Sequence, residues 1–165
     1  MNKTLLKIIF FWQKPKIVVV TGSGNLELTK RFISRILPDS FLLEKRILLT
    51  EFWDENCSKN KKHLILNYDD ENARKIKKES PIKVLTFGFW AGADLKASDV
   101  NINGGINFKI NYQGNIVPVW LENLIGKDQI YAALAAAAVG CALGLNLVEI
   151  SEALKKHSPA IDKNR

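Results

Sequence analysis

The chain has little of the chemistry that most readily marks a functional site. Its 165 residues include two cysteines, two histidines and one methionine. Cys57 and Cys141 stand alone, with no second ligand at metal spacing. That excludes a cysteine-based zinc ribbon and a disulfide framework, and it fits a reducing compartment. His63 and His157 are equally isolated, and no role is assigned to either. There is no internal repeat and no low-complexity linker, so one domain over 1–165 suits the length. Long hydrophobic runs are scarce too. The apolar core of Thr4–Trp12 is too short to span a bilayer, and no small-residue cleavage site follows it. It reads as an N-terminal arm over 1–13 or as an edge strand. The longest apolar stretch, Ile130–Val148, is Ala-rich and carries Gly140 and Gly144 at GxxxG spacing. Gly144 suits a helix end, however, and Asn146 with Glu149 three residues later suits the next N-cap. Two packed helices are expected there, with no membrane span and a cytoplasmic location.

Acids are outnumbered by bases, 17 to 24, for a net charge of +7. A basic balance admits nucleic acid or an anionic membrane as a partner. The lysines are spread widely, though, and the denser stretch from Lys59 to Lys83 also holds Asp69, Asp70, Glu71 and Glu79. Such a mixed run reads as a solvated face. A nucleic-acid-binding domain would use Trp53, Trp90 and Trp120 as stacking platforms. Scattered aromatics are more often core, so that alternative is disfavoured.

Hydrophobic periodicity organises the rest. Ile17–Val20 is a β-branched run that stops at Thr21-Gly22-Ser23-Gly24, and Leu28, Phe32 and Ile36 then fall four apart on one helical face. Residues 39–62 carry two short apolar runs, Phe41–Leu43 and Ile47–Leu49, with no clear pattern. His63–Leu66 and Val84–Phe87 read as buried strands, with a polar helix over Glu71–Lys78 between them. Alternating strands and helices favour a parallel sheet. From about 98 to 121 the pattern alternates with period two, and Gly104-Gly105 and Gln113-Gly114-Asn115 are turn signals. That predicts two or three antiparallel strands. From Gly126 to Lys156 the chain is helical, and 158–165 is a tail. The fold class is α/β: a P-loop-like parallel sheet flanked by helices, with a small antiparallel hairpin region.

A strand, a Gly-rich turn and a helix in that order make a phosphate cradle. Thr21, Gly22, Ser23, Gly24 and Asn25, with Thr29 and Lys30 one turn into the helix, are the candidate nucleotide-binding residues. A working loop ends in Gly-Lys-Thr or Gly-Lys-Ser, where Lys meets the outer phosphates and the hydroxyl meets Mg²⁺. Here Asn25-Leu26-Glu27 occupies that place. Leu cannot neutralise a phosphate, and Glu repels one. Backbone N–H groups over Gly22–Asn25 remain as a weak anion seat, and Lys30 reads as a solvated helix lysine.

In order along the chain, these blocks resemble the Mur ligases, which use ATP to join amino acids or peptides to a UDP-N-acetylmuramic acid precursor. The similarity is to their central ATP-binding domain, most closely in the enzyme that adds D-alanyl-D-alanine. Val19–Ser23 with Thr29-Lys30 looks like the family's phosphate loop. Leu66-Asn67-Tyr68-Asp69-Asp70 is similar to its Asn-x-Asp-Asp block. Thr86-Phe87-Gly88, Ala93-Asp94 and Asp99-Val100 match the strand and hairpin that follow. Gly126–Ala138 with Ala142–Leu145 looks like its Ala-rich helix.

The resemblance implies ATP and Mg²⁺ as cofactors and an acyl-phosphate route to an amide. It adds Asn67, Asp69 and Asp70 as nucleotide-binding candidates, although Asn and Asp also serve as plain turn and cap residues. The departures are equally specific. The family's loop lysine and hydroxyl fall at Leu26 and Glu27. Its His-Asn and later Asn fall at Asp128-Gln129 and Ala132. Residues 38–63 bridge a gap in which the family places metal-binding residues and strands, and Glu51 and Glu55 are poor substitutes. No catalytic or metal residue is assigned. A truncated or degenerate homologue is expected, inactive alone, of marginal stability, pairing with a cell-wall ligase or with itself.

Overall fold

The structure is a computed structural model, and it describes residues 17–20, 25–37, 47–50, 63–122 and 126–155. Thr21–Gly24, Glu51, Trp53, Glu55, Cys57 and His157 lie outside the described residues, as do the proposed arm and tail.

Among the described residues seven strands form one sheet: β1 (Ile17–Val20), β2 (Ile47–Thr50), β3 (His63–Asn67), β4 (Lys83–Gly88), β5 (Leu95–Ile102), β6 (Gly105–Tyr112) and β7 (Asn115–Glu122). Their spatial order is β2-β1-β3-β4-β5-β6-β7. The pairs from β2 through β5 are parallel, and β5-β6-β7 is an antiparallel meander. The hairpin region is therefore continuous with the parallel sheet and spans 95–122, wider than its period-two pattern suggests. The short apolar run at Ile47 is the edge strand β2.

Parallel neighbours normally need a crossover helix, yet only residues 89–94 join β4 to β5. The two strands are offset almost end to end. Only Phe87 pairs with Leu95 and Gly88 with Lys96, so β5 starts where β4 stops. The meander turns where glycine supplies positive φ: Gly104 (69°) and Gly114 (80°).

Among the described residues four helices flank the sheet: α1 (Leu26–Ile36), α2 (Glu71–Glu79), α3 (Lys127–Ala142) and α4 (Leu147–Lys155). Helix α3 is buried on every side from Ala132 to Gly140 and packs against α1, α4 and the parallel strands. Alanine suits that place because its small side chain lets backbones approach closely. At Gly140 a Cβ would stand 2.8 Å from Ile150 Cδ1 and 3.2 Å from Ile36 Cγ2. Strand β3 is apolar on both faces: Ile65 joins the main core, while Leu64 and Leu66 join a smaller cluster with Ala73 of α2. Helices on both faces explain its unbroken apolar run. The stretch Ile130–Val148 is two helices, as its breaks indicate. Gly144 adopts φ 80°, and the Val148 N–H donates to Asn146 Oδ1 at 2.8 Å. Among the described residues no helix is long and apolar enough to cross a membrane.

Candidate functional site

In a sheet of this order the chain leaves β1 toward β2 on one side and resumes at β3 on the other. Ligands of open α/β sheets bind at the carboxyl ends of the strands beside such a switch point. Val20, the last residue of β1, pairs with Leu66, one residue before Asn67. The candidates Asn25, Thr29, Lys30, Asn67, Asp69 and Asp70 therefore belong to the segments that follow β1 and β3 at this end.

The first turn of α1 is self-contained. Asn25 is its N-cap, and its Oδ1 accepts from the Leu28 N–H at 3.0 Å. Leu26 and Glu27 are the first helical residues. Thr29 is fully buried, and its hydroxyl donates back to the Asn25 carbonyl at 3.0 Å. Glu27 points outward and meets Arg31 at 3.5 Å in an exposed pair. Lys30 is exposed. The first turn of α1 thus presents an isobutyl group and a carboxylate, the latter paired with Arg31. Among the described residues no three acidic, His or Cys side chains cluster to hold a metal. In the first turn of α1 the one hydroxyl, that of Thr29, is buried and spent on its own helix, so this turn offers no free hydroxyl to a Mg²⁺ ion.

The Asn67–Asp70 corner is a tight turn built on side chains. Asn67 is buried and its Oδ1 accepts from the Asp69 N–H at 3.0 Å. Asp70 caps α2 by accepting from the Asn72 N–H at 2.8 Å. Asp69 does most: its Oδ2 accepts from the Phe89 N–H and the Tyr131 hydroxyl, each at 2.8 Å, and its Oδ1 accepts from the Trp90 N–H at 3.0 Å. One carboxylate thus ties β3 to the loop after β4 and to α3. Gly88 makes room for it, since a Cβ there would stand 2.5 Å from Asp69 Oδ1. Burial and this hydrogen bond push the Tyr131 hydroxyl well above the usual phenol range.

Loop 89–94 is pinned at its far end as well. Asp94 Oδ2 accepts from the Thr86 N–H at 2.8 Å, the Thr86 hydroxyl at 2.6 Å and Lys77 Nζ at 3.0 Å. Burial pulls its carboxyl up, but those bonds outweigh burial and hold it below the ordinary carboxylate range. At the first pin, Trp90 holds Asp69 through its backbone while its side chain is 57% exposed. The Arg74 guanidinium lies 4.5 Å over its ring and donates to the Tyr68 carbonyl at 2.8 Å. Two readings of the sequence need correction here. Trp90 and Trp120 are not core, the latter being 47% exposed. The charged stretch ending at Lys83 is also more than a solvated face, because Arg74 and Lys77 fasten the loop to α2.

Sequence reasoning missed Tyr131, Arg74 and Lys77. Tyr131 carried a signal: it is the one hydroxyl in the apolar run from Ile130 to Ala142, and such a group needs a partner when buried.

The family profile described as the Mur ligase middle domain matches residues 50–140. The UDP-N-acetylmuramate–L-alanine ligase of Persephonella marina is 33% identical over 96 residues, 58% of this chain and 20% of that protein. A UDP-N-acetylmuramoyl-L-alanyl-D-glutamate–2,6-diaminopimelate ligase of Clostridium acetobutylicum is 31% identical over 101 residues, 61% of this chain and 21% of that protein. The chain thus spans about a fifth of the length of these curated relatives. A D-alanyl-D-alanyl ligase structure from Acinetobacter baumannii superposes with a TM-score of 0.69 at 16% identity, covering 96% of this chain and 48% of that one. The MurF ligase of Thermotoga maritima, solved in complex with ADP, gives a TM-score of 0.60 at 15% identity over 90% of this chain and 51% of that one. The structural likeness carries the fold and the profile match carries the kinship: this chain belongs to the Mur ligase middle-domain family.

Proposed function

We propose that this chain serves peptidoglycan precursor synthesis in the cytoplasm as a nucleotide-domain homologue that does not ligate by itself, and that it works beside a complete cell-wall ligase. One observation carries the reading. The first turn of α1 is Asn25-Leu26-Glu27, with Thr29 buried and bonded to its own helix. Phosphoryl transfer is catalysed by charge neutralisation and positioning. Removing one well-placed electrostatic donor slows such a step by about 10²–10³. Here the cation is replaced by an apolar group and the metal hydroxyl by a carboxylate. ATP and Mg²⁺ are the cofactors implied by kinship, and the reading assigns this chain neither a tight metal site nor turnover.

The test is phosphate release from ATP by the purified chain, with a melting curve in millimolar ATP with and without Mg²⁺. No turnover and no Mg²⁺-dependent rise in Tm are expected. The double variant Leu26→Lys, Glu27→Thr is expected to gain a Mg²⁺-dependent rise. Turnover by the unaltered chain overturns the proposal. Recovery of a wall ligase with the chain from the native cell, lost on dilution of neither partner, supports the pairing.

A further inference from the structure

Strand β7 is apolar on both faces. Ile116 to Leu121 reads Ile-Val-Pro-Val-Trp-Leu, an unbroken apolar run. Val117, Val119 and Leu121 turn to the core, while Ile116, Pro118 and Trp120 alternate to the other side and are exposed. A strand with two apolar faces is normally covered on both. Here the second face borders a groove. Pro118 and Trp120 line one side and Val148, Ser151, Glu152 and Lys155 of α4 the other, around a volume of about 470 Å³. Val148 is 51% exposed. The Trp120 indole lies back on the sheet, its Nε1 3.2 Å from where a Cβ on Gly105 would stand.

The groove takes side chains rather than a strand. β7 is the edge of the sheet, yet Pro118 has no N–H, and its carbonyl accepts from the Ser151 hydroxyl. An eighth strand is therefore barred at the centre of that edge. The chain also carries a segment of matching character. Leu5-Leu6-Lys7-Ile8-Ile9-Phe10-Phe11-Trp12 lies outside the described residues and is apolar at every position but Lys7. Left in water, such a segment is a patch that drives association. Lys7 is opposite in charge to Glu152, which is exposed and in no ion pair among the described residues.

Length decides which copy supplies the segment. From Ile17 to Pro118 the path crosses from β1 to β7, five strand spacings or about 24 Å, and climbs seven residues, about 23 Å. The straight line is about 33 Å. Phe10, Phe11 and Trp12 stand at most seven residues from Ile17, a reach of about 25 Å. The aromatic end of a chain's own arm therefore falls short of its own groove, and the arm of a second copy has no such limit.

We propose that the groove between β7 and α4 seats the aromatic end of the segment Leu5–Trp12 from a second copy of this chain, so that two chains exchange arms. An aromatic anchor in an apolar pocket is the usual centre of a protein contact, and reciprocal exchange closes the pair.

The experiment is sedimentation equilibrium of the full chain over a range of concentrations, joined to disulfide trapping in a Cys57→Ser, Cys141→Ser background. The parent should show a monomer–dimer equilibrium. Val148→Glu and Trp120→Ser should each raise its dissociation constant by roughly tenfold or more. Both side chains are exposed, so the monomers should melt alike. On oxidation, chains with Phe10→Cys mixed with chains with Val148→Cys should give a linked heterodimer. Chains with Phe10→Cys mixed with chains with Lys78→Cys, exposed on α2, should give none. A chain with both Phe10→Cys and Val148→Cys should link between copies. A monomer at every concentration, a dimer indifferent to Val148→Glu, equal trapping at Lys78→Cys, or a link within one chain overturns the exchange.

Discussion

Asp69→Asn is the substitution that most directly probes how this corner is held. The carboxylate accepts three bonds, two on Oδ2 and one on Oδ1. An amide has one oxygen. With that oxygen in the Oδ2 place, the Phe89 N–H and Tyr131 hydroxyl keep a neutral acceptor. The amide nitrogen then faces the Trp90 N–H at 3.0 Å, donor against donor. The alternative rotamer loses two bonds instead of one. A hydrogen bond to a charged group contributes about 1.5–3 kcal/mol and a neutral one about 1 kcal/mol. One bond lost and two weakened, at a half-buried site, gives about 2–4 kcal/mol. That is a large part of the 5–15 kcal/mol that stabilises a typical domain. Urea unfolding should show it as a fall in midpoint at constant m-value. Tyr131→Phe should cost about 1–2 kcal/mol, because it removes one charged bond and leaves no buried donor unmet. The double variant should be less destabilised than the sum by at least about 0.5 kcal/mol, since the two side chains share a bond. If Asp69→Asn lies within about 0.5 kcal/mol of the parent and adds to Tyr131→Phe, the carboxylate is not the tie inferred here.

Three further outcomes are expected. Asp94 has a depressed carboxyl in the folded chain, so its stabilising effect is full above the unfolded-state value of about 3.9 and is lost as pH falls through the lower folded value. The stability gap between the parent and Asp94→Asn should be widest near neutrality and close in acid; a gap independent of pH refutes this. Gly140→Ala sets a Cβ against Ile150 and Ile36, and should destabilise by about 1–2 kcal/mol despite alanine's helix preference, with Ile150→Val restoring part of it in thermal melts. The Cys141 thiol is pushed up to about 12 by burial, so in a Cys57→Ser background it should resist alkylation near pH 8 until denaturant is added.

Much of this molecule is written in local pattern. The β-branched run at Ile17, the compact His63–Leu66 strand, the period-two stretch and the Gly-rich turns each depend on neighbours two to four residues apart. Those elements, the Asp70 and Asn146 caps and the missing loop lysine at Leu26 are therefore visible without coordinates. The order of blocks added the family. Tertiary structure alone decided what joins them. A four-residue strand at Ile47 becomes an edge strand only by pairing with β1. The end-to-end offset of β4 and β5 is invisible to periodicity, because it depends on Asp94 reaching back to Thr86. Asp69 looks like any turn residue until Tyr131, 62 positions away, donates to it. Trp90 reads as core because aromatic side chains usually gain by burial, and only the fastened loop around it keeps its ring in solvent.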